Sequence, residues 1–160
     1  MSSEIPLILR LKRSNHKKIA EAQDVIIREL YRVFGRAVLH GGTALWRCYD
    51  GNRFSEDIDV YIQRDVEKIN VLFENLKKIG FKIEKKKIGE NSLYSNLNFN
   101  GTFVRLEALF KKIKGFLKEY TEISGNLILV YTLTPEELII EKLNTYLKRL
   151  KIRDLYDIFF

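Results

Sequence analysis

Over residues 14–34 the apolar positions recur at helical spacing, with Ile19, Ala22, Ile26, Leu30 and Val33 on one face and charged residues on the other. The pattern predicts an amphipathic helix with Ser14 or Asn15 as N-cap, ended by Gly35. RAVLH (36–40) then reads as a short apolar strand, Gly41-Gly42-Thr43 as a turn, TALWRCY (43–49) as a short helix and DGN (50–52) as a loop. RFSEDIDVYI (53–62) reads as a strand whose Ile58 and Val60 point one way and whose acids point the other. In 65–80 a second amphipathic helix turns Val66, Ile69, Leu72, Phe73 and Leu76 inward and is capped by Gly80.

From residue 81 the period changes. FKIEKKKI (81–88), SLYSNLNF (92–99) and TFVRLEALF (102–110) predict three antiparallel strands, the last two joined by the tight turn Asn100-Gly101. The basic stretch 111–125 carries no readable pattern, and NLILVYTL (126–133) is a strand. Thr134-Pro135-Glu136-Glu137 is a capping box with Pro at the first helical position, opening a helix that runs to about Leu150. RDLYDIFF (153–160) begins a further helix and stops inside an apolar run, so the chain reads as a truncated or minimal form of something longer. The expected architecture is α+β: a mixed, mostly antiparallel sheet flanked by helices on one side. Residues 1–133 would form the core and 134–160 a short C-terminal helical portion packed on it, as a single compact unit.

Composition narrows the function classes. The chain has 160 residues, enough for one domain, and its 46% hydrophobic share is too high for disorder. One cysteine, Cys48, excludes an internal disulfide, and with only two histidines a zinc site is disfavoured. No apolar run approaches the ~20 residues of a membrane span and no secretory leader is recognisable, which points to a soluble, cytoplasmic protein. Twenty-eight Lys and Arg against 21 acids give a net charge of +7, which suits an anionic partner as well as it suits solvated surface lysine.

The chemistry concentrates in HGGTALWRCYDGNRFSEDIDVY (40–61). In a strand, Asp57 and Asp59 project from the same side about 6–7 Å apart, and two like charges so placed repel by roughly 2–3 kcal/mol at an effective dielectric near 20. A divalent cation resolves that repulsion. Gly41, Gly42 and Thr43 offer backbone amides at a helix start, where phosphates bind, against the alternative of an ordinary strand-to-helix turn. Mg²⁺ (or Mn²⁺) binds through one or two carboxylates plus substrate phosphates, so turn and acid pair together describe a nucleotide-triphosphate site. In TFVRLEALF, Phe103, Arg105, Glu107 and Leu109 share one face, making Glu107 a third acid for metal binding or hydroxyl activation, against a plain ion pair with Arg105. Lys142 lies one turn from Leu138 and one from Tyr146, on the apolar stripe of its helix, where it meets either a triphosphate or the acids Asp154 and Asp157. Those two acids are themselves either part of the nucleotide site or a solvated helix face. His40 reads as a packed strand residue more than as a base, and Trp46 and Cys48 face the core. The runs Lys85-Lys86-Lys87 and Lys111-Lys112-Ile113-Lys114 are either solvated or track a nucleic-acid backbone.

These residues resemble the AbiEii/AbiGii toxin family of the polymerase-β-type nucleotidyltransferase superfamily. The family hallmark, GGTAL followed by RFSxDIDL, stands here as Gly41-Gly42-Thr43-Ala44-Leu45 and Arg53-Phe54-Ser55-Glu56-Asp57-Ile58-Asp59-Val60. A later strand with a basic residue two before an acid matches Arg105 and Glu107, and a helical E-K-L followed by R-D-L-x-D-L matches Glu141-Lys142-Leu143 and 153–158. The resemblance implies a polymerase-β-like nucleotidyltransferase fold and a metal-dependent transfer of NMP from an NTP to an acceptor hydroxyl. Asp57, Asp59 and Glu107 would be metal ligands and catalytic groups together with Lys142. Gly41, Gly42, Thr43, Ser55, Lys142, Asp154 and Asp157 would bind the nucleotide. It implies a toxin of a toxin–antitoxin or phage-defence pair, acting on RNA such as tRNA and paired with a cognate antitoxin. Two features depart from the family: the third acid is Glu rather than the commoner Asp, and relatives continue beyond the point where this chain stops, which leaves dimerisation through the IFF end as an expectation. A non-catalytic nucleotide- or RNA-binding module that keeps the acids is the alternative function, and a protein–protein partner with structural acids is a third.

Overall fold

In the computed structural model the described residues are 14–149. They comprise α1 (Ser14–Val33), β1 (Val38–His40), α2 (Gly41–Tyr49), β2 (Ile58–Ile62), α3 (Val66–Ile79), β3 (Lys82–Ile88), β4 (Ser92–Phe99), β5 (Thr102–Phe110), β6 (Phe116–Thr121), β7 (Leu127–Thr132) and α4 (Pro135–Arg149). The strands form one seven-stranded sheet in the order β3-β4-β5-β2-β1-β7-β6. Only β2–β5 and β1–β7 pair in parallel; the other four neighbours are antiparallel. The expected α+β architecture is therefore present.

Local chemistry explains most of the boundaries. Asp65 caps α3 by accepting from the Lys68 amide, and Gly80, at φ 127, ends it by donating to Leu76 and Lys77 carbonyls. Asn100 and Gly101, at φ 52 and 85, make the two-residue hairpin turn between β4 and β5. The Thr134–Glu137 capping box is formed in both directions, at 3.0 and 3.1 Å. Ser14 and Asn15 already lie inside α1, so neither caps it.

The core lies between one face of the sheet and α1 and α3. From β5, Val104, Leu106 and Ala108 are buried; from β2, Ile58 and Val60; from the helices, Ala22, Ile26, Leu30, Ile69, Leu72 and Phe73. Trp46 and Cys48 are also buried, Trp46 in a satellite cluster with Ala20 and Ile123.

Two expectations change. Residues 53–57 do not pair: β2 begins at Ile58, and Asp57 stands just before it. The backbone there is held by side chains instead of a neighbouring strand. Gln23 Nε2 donates to the Ser55 carbonyl at 2.9 Å, and Thr43 Oγ1 donates to the Asp57 carbonyl. The unassigned basic stretch contains β6, an edge strand on β7. Its Phe116 and Leu117 are exposed, so no burial period marks it in the sequence; pairing with β7 alone makes it a strand. Asp154, Asp157 and the IFF end fall outside the described residues.

Candidate active site

Asp59 sits at the centre of the sheet. Its antiparallel partner on β1 is His40 and its parallel partner on β5 is Glu107, so three ionisable side chains stand in one row across adjacent strands. Asp57 lies at the mouth of the same strand, and α2 begins directly after His40. Together they border a cavity of about 260 Å³ lined by Gly42, Arg53–Asp57, Asp59, Arg105, Glu107 and Lys142. A larger cavity of about 630 Å³ lies at the other end of β1 and β2, lined by Val38 and Ile62. Its lining holds Arg36, Lys68, Lys111, Lys112 and Lys114 but no carboxylate, so the smaller cavity alone has the acids that phosphoryl transfer needs.

The glycines are required by the site itself. A Cβ on Gly41, which also sits at φ 75, would stand 2.7 Å from Asp59 Oδ2. One on Gly42 would meet Ser55 Oγ at 3.0 Å and Arg53 at 3.1 Å. Thr43 does not reach the cavity: it is fully buried, and its hydroxyl donates to the Asp57 carbonyl. The part of its side chain in the site is to position the Asp57 backbone. Ser55, also buried, borders the cavity beside Gly42.

Arg105 is the counter-charge at the cavity. Its guanidinium bonds to Asp57 Oδ2, while the contact from Nε to Glu107 Oε1 is long at 3.7 Å. The Arg105–Glu107 pair, the alternative to a catalytic Glu107, is thus the weaker of the two: continued back past Ile58, the parallel register of β2 on β5 sets Asp57 beside Arg105. Asp57, Glu107 and Arg105 are each 30–40% exposed, so the group is open to exchange of partners. Burial raises the Asp59 carboxyl to about 6; nearby Glu107 and Asp57 push the same way, while His40 and Lys142 oppose.

His40 packs face to face on Tyr61 at 3.9 Å, with Nδ1 3.3 Å from Glu141 Oε1, and the Tyr61 hydroxyl donates to Glu141 Oε2. Burial works against the Glu141 carboxylate, but the hydrogen bonds from His40 and Tyr61 outweigh it and hold the group below its usual range. Glu141 thereby ties α4 to β1 and β2 and delivers Lys142 to the cavity wall. In the sequence Glu141 stands only within the E-K-L motif, and its place one residue before Lys142 is the signal that marks it.

Among the described residues no three His, Cys, Asp or Glu side chains converge into a ready metal cage. The donors nevertheless suit a hard cation, being the carboxylate oxygens of Asp57, Asp59 and Glu107 at one cavity beside a helix start, a set that phosphates would complete.

A family model described as nucleotidyl transferase AbiEii toxin, Type IV toxin–antitoxin system, matches residues 28–160. This chain belongs to the AbiEii family. The fold agrees with solved structures. MenT4, a nucleotidyltransferase toxin from Mycobacterium tuberculosis, superposes with a TM-score of 0.70 at 22% identity, over 94% of this chain and 61% of that one. JHP933 from Helicobacter pylori gives 0.61 at 22% identity, over 90% of this chain and 63% of that one. ANT(2″)-Ia, solved in complex with adenylyl-2″-tobramycin, gives 0.57 at 14% identity, over 88% of this chain and 86% of that one. The AbiEii chain described here spans less than two thirds of the first two structures. No curated protein sequence matches it. Among the described residues no helix is long and apolar enough to cross a membrane.

Proposed function

We propose that this chain transfers a nucleoside monophosphate from an NTP to an acceptor hydroxyl, releasing pyrophosphate, with RNA such as tRNA as the acceptor. It would work in the cytoplasm as the toxin of a pair with a cognate antitoxin. The observation that carries this reading is the row Asp59–Glu107 with Asp57 at its mouth, facing the start of α2 across one cavity. In this reading Asp57 and Asp59 hold Mg²⁺ or Mn²⁺, which when bound supplies positive charge to the NTP phosphates. Gly42 lets the backbone approach those phosphates, Ser55 and Arg53 border them, and Lys142 neutralises charge from the α4 side. Glu107, 40% exposed and next to Asp59, accepts the proton of the attacking hydroxyl or completes the metal site. With Asp57 holding a cation, Arg105 would be available to bind a phosphate oxygen. Asp154 and Asp157 are proposed as further nucleotide contacts.

A second reading has its own support: Asp57 is already neutralised by Arg105, as in a module that binds nucleotide or RNA without catalysis. Incubation with radiolabelled NTPs, divalent metal and bulk RNA separates the two. Label on RNA in the wild type and none with Asp59→Asn supports transfer. Calorimetric NTP binding without label in either protein overturns it in favour of the module.

A further inference from the structure

The sheet face that carries the acids continues past them toward the β3 edge, and the register fixes what it displays. In the row of Asp59, Glu107 is followed by Tyr94 on β4 and Lys87 on β3. The next row holds Arg105, Asn96 and Lys85, and the one after it Phe103, Asn98 and Lys82. With strands about 4.8 Å apart and residues rising about 3.3 Å, this surface extends ~14 Å from Asp59 to Lys87 and ~13 Å from Glu107 to Phe103. The opposite face of the same strands is buried through Leu93, Leu97, Val104 and Leu106, so the two faces have different tasks. Phe103 is 52% exposed although it stands on an interior strand, where burying it would have been the stabilising choice.

We propose that this face is the acceptor platform: a single-stranded nucleic-acid end lies across β3–β5 with its terminal hydroxyl at Glu107. One base stacks on Phe103, and the phosphates pass Lys85 and Lys87. The inference rests on the transfer reading above and adds where the acceptor binds. Charge supports the occupant. Lys82, Lys85 and Lys87 are exposed on this face. The carboxylate at the β3 bulge, Glu84, is engaged by Asn98 at 3.2 Å and Lys82 at 3.7 Å. Lys86, by contrast, turns to the helix side, bonding to Asn70 at 2.8 Å over the Phe73 ring. A cleft of about 340 Å³ bordered by Lys85, Lys87, Ser92 and Tyr94 gives the backbone a path at the edge. An exposed ring on a sheet surface offers its π-face only to an unstacked base, which selects a single strand over a duplex, and the Asn96 amide offers hydrogen bonds to a base edge.

The test is fluorescence anisotropy of the full chain with a short labelled oligouridylate, across a salt series. Lys85→Glu/Lys87→Glu should weaken binding at least about tenfold and lower the slope of log K against log salt by about 1.4, two phosphate contacts at about 0.7 each. Phe103→Ala should cost about fivefold or more, with Phe103→Trp restoring it, as loss and return of one stacked base require. Lys112→Glu/Lys114→Glu, an equal charge change at the larger cavity, should leave the affinity within about twofold of wild type, since those lysines lie off the platform. NTP binding by calorimetry should be unchanged in all of them. Equal weakening by both lysine pairs, tighter binding of a duplex of the same length, or no oligonucleotide binding by the wild type overturns the platform. Those outcomes leave nucleotidyl transfer standing if wild type still labels an acceptor and Asp59→Asn does not; a platform that binds RNA in a protein that transfers nothing is the reverse failure.

Discussion

Two arginines hold two aspartates in this molecule, and they do opposite work. Arg47 is 1% exposed: Nη1 meets Asp24 at 2.6 Å and the Thr121 carbonyl at 3.0 Å, while Nη2 meets the Ala20 carbonyl at 3.0 Å and Gln23 at 3.2 Å. Asp24 also accepts from the Tyr120 hydroxyl and the Ile123 amide, so α1, α2 and the end of β6 are joined at one point. Burial raises the Asp24 carboxyl, and the Arg47 charge opposes that shift. Arg105 stands in the open, bonded firmly to one acid and loosely to another. A closed, buried network fixes geometry even though Arg47 Nε is left without a partner, whereas a half-exposed pair can trade partners with a cation and phosphates. Gln23 links the regions: Oε1 accepts from Arg47 and Nε2 holds the Ser55 carbonyl, so the rigid cluster sets the position of the loop bordering the cavity.

The comparison breaks first at its rigid member. Arg47→Ala, which strands Asp24 as a buried charge, should cost about 3–5 kcal/mol of folding free energy, read from urea unfolding. If the loss is under about 1 kcal/mol, the network is not what holds α1 to α2. Asp59→Asn should leave the fold intact and lower nucleotidyl transfer by about 10³-fold, roughly 4 kcal/mol of barrier; activity within tenfold of wild type would remove Asp59 from the chemistry.

Asp59 also gives a pH signature. Its folded pKa, about 6, lies above the unfolded value of 3.8, so the folded protein binds the proton more tightly. Its contribution to stability is present below about 4 and is lost as pH rises through about 6. Between pH 7 and pH 4 wild type should therefore gain on the order of 2 kcal/mol relative to Asp59→Asn, a difference measured by chemical denaturation at each pH. A parallel pH dependence in the two proteins would show that Asp59 is not buried as described. The smallest effect falls on the loose pair. Arg105→Ala should change stability by less than about 1 kcal/mol and, by freeing Asp57, tighten Mn²⁺ binding without nucleotide by up to about fivefold, as titration by electron paramagnetic resonance would show. Weaker Mn²⁺ binding would mean that Arg105 orders the acids instead of competing for them.

Much of this was legible in the chain. The period of 3.6 placed α1 and α3, alternation placed β4 and β5, and Asn100-Gly101 and the Thr134 capping box set their turns, because each signal is carried by a few neighbouring residues. The pairing of D-x-D with Gly-Gly-Thr named the acids and the family for the same reason. What tertiary structure decided was partnership. The parallel register of β2 on β5 puts Glu107 beside Asp59 and moves Arg105 toward Asp57, although these residues are about fifty positions apart in the chain. Arg47 and Asp24 look like surface residues on two amphipathic helices until the fold closes Tyr120, Thr121 and Ile123 over them and shuts out water. Sequence period reports which face a side chain takes; only the packed fold reports what stands opposite it, and electrostatic and hydrogen-bond chemistry depend on that distance.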